Sequence, residues 1–128
     1  MTMMKLRSDA FFKEGVKKLK QANEELFKPE EDIVAYSVCK NSQFSLDNLL
    51  RGFLLSNKID PSQDDSIESL LKKCIKIDAK FEKIDIGMIT CSGHKIDSRY
   101  CTGVKTVLAC FDAADSVDTL LRKAKMYS

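Results

Sequence analysis

Apolar residues recur along this chain at helical spacing. Phe12, Val16, Leu19 and Leu26 are separated by four, three and seven positions, which places them on one stripe of a first helix running from about Ser8 or Asp9 to Phe27. Lys13, Lys17, Lys18 and Lys20 fall mostly off that stripe and read as a solvated face, with a partner-binding surface as the alternative. Pro29 closes this helix and can open the next, because its missing N–H costs nothing in a first turn. Glu30, Glu31 and Asp32 then complement the positive end of the new helix dipole. No proline interrupts from there to about Asn57, and Gly52 is a tolerated exception late in the run. Val38, Leu46, Leu49, Leu50, Phe53 and Leu54 give this second, long helix a broad apolar face.

Asp60-Pro61-Ser62 reads as a turn, and Ser62 with Asp65 has the spacing of a capping box. Ile67, Leu70, Leu71, Cys74 and Ile75 follow as the apolar stripe of a third helix. From about Asp78 to Gly103 the period weakens, and Gly87, Gly93 and Gly103 appear. An irregular connection is expected there, with a short helical turn near Phe81 to Ile84. Its length exceeds that of most connections in compact bundles, so it is either functional or packed as a small unit of its own. Val107, Phe111, Ala114, Val117, Leu121 and Ala124 mark the last helix. No alternating strand pattern, internal repeat or low-complexity segment stands out. The expected fold class is all-α: an antiparallel bundle of four main helices with a long irregular connection before the last, in a single domain spanning residues 1–128.

Composition narrows the class. A chain of 128 residues can bury a real core, and 44% hydrophobic with 31% charged residues places it among soluble globular proteins and not disordered ones. The 21 basic residues face 19 acidic ones, leaving a net charge of +2. That balance excludes a strongly cationic coat but leaves room for a local basic patch. No apolar run has the length of a bilayer span, and Met1 to Arg7 is not followed by a signal-peptide core. Five cysteines, at 39, 74, 91, 101 and 110, are odd in number, and no two are separated by two residues. Reduced thiols in a cytoplasmic protein are the expectation.

Within the second helix, SQFSLDNLLRGFLL (residues 42–55) resembles the signature helix of the HEPN family, where a Gln is followed by Glu-Lys and then by a Leu-Lys pair. Here the order is Gln43, then Asp47-Asn48, then Leu50-Arg51. DDSIESLLKKC resembles the family's next helix, and DSRYCTG its Arg-Tyr-Pro segment ahead of the final helix. The three elements, in matching order, cover about residues 30 to 127. Asp47 shortens the acidic side chain, Asn48 removes one family lysine, Arg51 replaces another, and Cys101 stands where proline is usual. The histidine that commonly opens the family's next helix is also absent, with Asp64 or Asp65 near its place. The resemblance implies a helical domain, often a homodimer, associated with nucleotide or RNA binding. It also implies frequent pairing with a nucleotidyltransferase partner in toxin–antitoxin loci.

RNA-cutting members of that family carry an Arg followed, four to six residues later, by a His. In this chain His94, the sole histidine, precedes Arg99, and none of Arg7, Arg51, Arg99 or Arg122 has a histidine at that distance after it. No catalytic residue is therefore expected. Cys91, His94, Cys101 and Cys110 could supply four zinc ligands, but their spacing matches no familiar finger. A cysteine nucleophile beside His94 lacks a third, orienting group. Neither metal nor cofactor is expected, and His94 reads as an exposed loop imidazole.

Arg99 and Tyr100 offer a planar fork for phosphate and a ring to stack a base. Alternatively, Arg99 ties the irregular connection to Asp47 or another acid, with Tyr100 packed beneath. Gln43, Asp47 and Arg51 fall at i, i+4 and i+8, one polar row along a mostly buried helix. Such a row needs partners, from Arg99, a second subunit or a ligand. Gln43, Asp47, Arg51, Arg99 and Tyr100 are thus the candidate ligand-binding or structural residues. The function expected is a non-catalytic HEPN-like binding module for a nucleotide, RNA or a partner protein. An RNA-cleaving toxin-type enzyme with a degenerate site and a purely structural dimerisation domain are the alternatives.

Overall fold

The computed structural model describes residues 2–28, 35–86 and 104–127. Their order is α1 (Thr2–Leu26), α2 (Ala35–Ser56), α3 (Ile67–Ile77), a 3₁₀ segment (Ala79–Lys83) and α4 (Val104–Lys123). No strand occurs among the described residues, so the all-α class holds. Pro29 and the acids after it, like Gly87 to Gly103, lie outside the described residues.

α2 is the element on which the others pack, meeting α1, α3 and α4. All six of its predicted core residues, Val38, Leu46, Leu49, Leu50, Phe53 and Leu54, are buried. Each fully buried leucine contributes on the order of 1.5–3 kcal/mol through the water it sheds. Phe12 and Leu19 of α1, Leu70, Leu71 and Cys74 of α3, and Ala114, Val117 and Leu121 of α4 complete one core.

α1 and α2 run antiparallel and closer than long side chains allow. The Ser8 hydroxyl donates to the Gly52 carbonyl at 2.7 Å, and the Ser45 hydroxyl donates to the Gly15 carbonyl at 2.7 Å. A Cβ on Gly15 would stand 2.7 Å from Leu49 Cγ and Cδ2, and one on Gly52 would stand 2.7 Å from the Phe12 ring. Gly52 is therefore more than a tolerated exception in a helix; the contact requires it. Ser8 is likewise not a helix start. α1 begins at Thr2, and the Ser8 side chain is spent on α2.

Two further boundaries differ from expectation. α3 is capped by Ser66, whose hydroxyl accepts from the Ser69 N–H at 3.1 Å. Ser62 and Asp65 do pair, with the Ser62 N–H donating to Asp65 Oδ2 at 2.9 Å, but they close the preceding turn instead of the helix. The Asp65 carboxylate also accepts from Ser69 Oγ at 3.0 Å and Lys73 Nζ at 2.6 Å. The Lys73 hydrogen bond foremost holds it below the usual carboxylate range. The helical turn expected at Phe81 to Ile84 is the 3₁₀ segment, begun by Asp78, whose carboxylate accepts from the Lys80 N–H. Phe81 is buried there, 4.7 Å from the Phe53 ring centre.

Ala124, assigned to the α4 stripe, is exposed and lies just past the helix end. Lys125 adopts a left-handed φ of 60°, and the Met126 N–H returns to the Leu121 carbonyl at 3.0 Å. This reversal sends Tyr127 back over Phe12, at 5.1 Å between ring centres, and its hydroxyl donates to Asp118 at 2.6 Å. Cysteine use departs from expectation as well. Cys74 and Cys110 are buried and take part in no disulfide, but Cys39 is disulfide-bonded.

Candidate functional site

The polar row on α2 was expected to need Arg99, a second subunit or a ligand. Two of its members satisfy each other. Arg51 Nε donates to Asp47 Oδ2 at 3.0 Å, one helical turn away. The rest of the guanidinium reaches the turn ahead of α3: Nη1 donates to the Ser62 carbonyl at 2.9 Å, and Nη2 to the Asp65 carbonyl at 3.0 Å and the Gln63 carbonyl at 3.4 Å. Arg51 is only 9% exposed. Its planar fork does what an ammonium cannot, matching several fixed acceptors at once. A buried cation without such partners would be costly, so the geometry makes Arg51 a clamp between α2 and the following turn. Gln43 is buried two turns before Arg51. Arg99 and Tyr100, with His94, lie outside the described residues, and the expected Arg99–Asp47 tie lies there with them; within the described residues Asp47 pairs with Arg51.

A second polar constellation lies between the 3₁₀ segment and α4. Lys80 and Lys83 line one wall of a hollow of about 460 Å³, and Ser116, Thr119 and Lys123 line the other. Ile84 and Leu120 contribute apolar surface between them. Local sequence produces this wall: Phe81 and Ile84 are buried, which turns the alternate positions Lys80 and Lys83 outward. On α4, Ser116, Thr119 and Lys123 fall at i, i+3 and i+7, one stripe beside the buried Val117 and Leu121.

The charges of this hollow are unspent. Arg7, Lys18, Lys28, Arg51, Lys73 and Arg122 each meet a carboxylate within 4.0 Å. Lys80, Lys83 and Lys123 meet none among the described residues. Asp115 also lines the hollow, yet its carboxyl is raised above the usual range, first by burial and then by Asp118 and Asp112. No salt bridge within 4.0 Å joins it to Lys80, Lys83 or Lys123. A neighbouring hollow between α1 and α4 shares Asp115 and includes Arg122, whose Nε is already committed to Asp118 at 3.0 Å.

Sequence reasoning passed over Lys80, Lys83, Ser116, Thr119 and Lys123. The signal was present in the i, i+3, i+7 polar stripe of α4, but nothing local said which neighbour it would face. Chemically the hollow offers three cationic donors and two hydroxyls. The Cys74 thiol is a different case: burial pushes it up to about 12, and Sγ donates to the Leu50 carbonyl at 3.8 Å, so it is packed as a neutral group. Among the described residues no group of three His, Cys, Asp or Glu side chains could hold a metal ion, and no helix is long and apolar enough to cross a membrane. The chain matches no known family model, no curated protein and no solved structure.

Proposed function

We propose that this chain is a HEPN-like helical binding module that recognises a nucleotide or RNA through the groove between the 3₁₀ segment and α4, without catalysis. The observation that carries this reading is the convergence of Lys80, Lys83 and Lys123 on one hollow, where they outnumber Asp115 and none meets a carboxylate within 4.0 Å among the described residues. Unpaired ammonium groups in a concave wall attract phosphate-bearing ligands and raise their local concentration. The polar row Gln43, Asp47 and Arg51 serves the fold in this reading, since Arg51 is spent on Asp47 and on carbonyls of the turn.

A nucleotide that binds the folded state alone raises the melting temperature, worth about 2.7 kcal/mol at a hundredfold excess over Kd. An unchanged melting temperature with nucleotides and with short RNA defeats the reading. Incubation with total RNA separates it from a degenerate ribonuclease, because the module leaves the RNA intact. Assembly as a homodimer, and docking to a nucleotidyltransferase partner, belong to the same proposal. Light scattering at micromolar concentration tests the first against a monomer of 14.5 kDa. For location, two expectations compete. A cytoplasmic chain keeps all five cysteines reduced, whereas the Cys39 disulfide speaks for an oxidising compartment. Thiol titration of the unfolded, unreduced protein decides between five reactive groups and two fewer.

A further inference from the structure

The groove between the 3₁₀ segment and α4 has a lining that discriminates between the parts of a nucleotide. Its polar groups are ammonium and hydroxyl: Lys80 and Lys83 on one side, Ser116, Thr119 and Lys123 on the other. Among the described residues neither an aromatic ring nor a guanidinium lines it, so this lining offers no planar surface on which a base could stack. The described lining also holds no amide side chain of the kind that reads a base edge. From Ser116 to Lys123 the α4 stripe extends about 10 Å along the helix, room for more than one phosphate. Lysine ammoniums act on phosphate as point charges and impose little geometry. Among the described residues the lining sets three lysines against one acid, Asp115, so the charge facing the hollow is net positive.

We infer that this groove binds the oligophosphate chain itself, held by Lys80, Lys83 and Lys123 with hydroxyl donation from Ser116 and Thr119, and leaves the base outside. The inference rests on the binding-module reading above and specifies which part of the ligand that module recognises. Free tripolyphosphate and the triphosphate of a nucleotide share this chemistry, and the two are separate arms of the test.

The full chain is titrated by calorimetry with sodium tripolyphosphate, adenosine triphosphate and adenosine at fixed ionic strength. Tripolyphosphate and the nucleotide are expected to bind with affinities within about threefold of each other, and adenosine not at all. The variant Lys80→Gln/Lys83→Gln/Lys123→Gln is expected to lose at least about tenfold in affinity for both anions. Lys13→Gln/Lys17→Gln/Lys72→Gln removes the same charge from exposed sites elsewhere and is expected to stay within about twofold. Circular dichroism verifies that each variant is folded, and Lys83→Gln alone replaces the triple variant if that one is not. Binding of the nucleotide without tripolyphosphate overturns the inference and leaves the binding module standing. Equal weakening by the two triple variants overturns the assignment to this groove. Absence of binding by either anion overturns the inference, and the module reading falls with it when short RNA also leaves the melting temperature unchanged.

Discussion

The α1–α2 contact and the 3₁₀–α4 groove treat their polar groups in opposite ways. Between α1 and α2, two serine hydroxyls are fully committed, each to the carbonyl of a glycine on the facing helix, and the glycines admit no further atom. Between the 3₁₀ segment and α4, three ammoniums and two hydroxyls face an open hollow. A close-packed seam gains dispersion and excludes water, so an unsatisfied polar atom there costs the fold. An exposed lysine stays hydrated at little cost, so it is free to meet something outside the chain. The difference marks the seam as the part that holds the molecule together and the groove as the part open to a partner.

The seam is where substitution is expected to hurt most. Gly52→Val drives a branched side chain into the Phe12 ring and should cost about 3 kcal/mol, at the upper end of overpacking effects. Urea denaturation measures it. A variant as stable as the parent means that the helices are not packed this closely.

Arg51→Ala comes next, at about 2–3 kcal/mol. It strips Asp47 of its partner and leaves the carbonyls of Ser62, Gln63 and Asp65 without their shared donor. The figure sits below that of a fully buried pair because the Asp47 side chain is 27% exposed. Arg51→Lys should recover little, since one ammonium cannot span these acceptors. Full recovery in a melting experiment makes the contact a simple charge pair and not a clamp.

Ser45→Ala should cost about 1 kcal/mol, the worth of one buried hydrogen bond, and Ser8→Ala a similar amount. The two losses should add, because the bonds share no partner. Strong coupling would mean that the seam closes as one unit.

The smallest expected effect lies in the groove and has the opposite sign. The Asp115 carboxyl is raised in the fold by burial, Asp118 and Asp112, so the folded state holds its proton more tightly than the unfolded chain. Its ionised form therefore destabilises the protein at neutral pH, and that penalty fades as pH falls through the carboxylate range. Asp115→Asn should add no more than about 0.5 kcal/mol at pH 7, discounted for solvent screening of an exposed group, and nothing in acid. A melting series against pH checks it, and a loss of stability at pH 7 would show that Asp115 has a cationic partner. Asp65 supplies the contrast within the same series. Lys73 lowers its carboxyl, so its contribution is present above the unfolded value and lost as pH falls through the folded one.

Much of the scaffold was legible in advance because burial follows period. The α2 face from Val38 to Leu54 could be read position by position, since a helix repeats its inward direction every three or four residues whatever it packs against. Boundaries were less legible. Ser62 and Ser66 are both capable caps, and only the path of the turn, pinned by Arg51, decides that Ser66 meets an N–H of α3 while Ser62 accepts from Asp64 within the turn. Gly52 and Gly15 each follow a serine by seven residues, a spacing visible in the chain, but it acquires meaning only when the helices are laid antiparallel.

The sequence by itself determined the helical class, the stripes that face inward, and the supply of charge on the outside. These depend on the local period and on side-chain solubility, which each segment carries alone. Only the tertiary structure decided that Arg51 would be spent on Asp47 and a turn, while Lys80, Lys83 and Lys123 would gather unpaired around one hollow. Pairing depends on distance between segments remote in the chain, and that distance exists only once α2 has collected its neighbours.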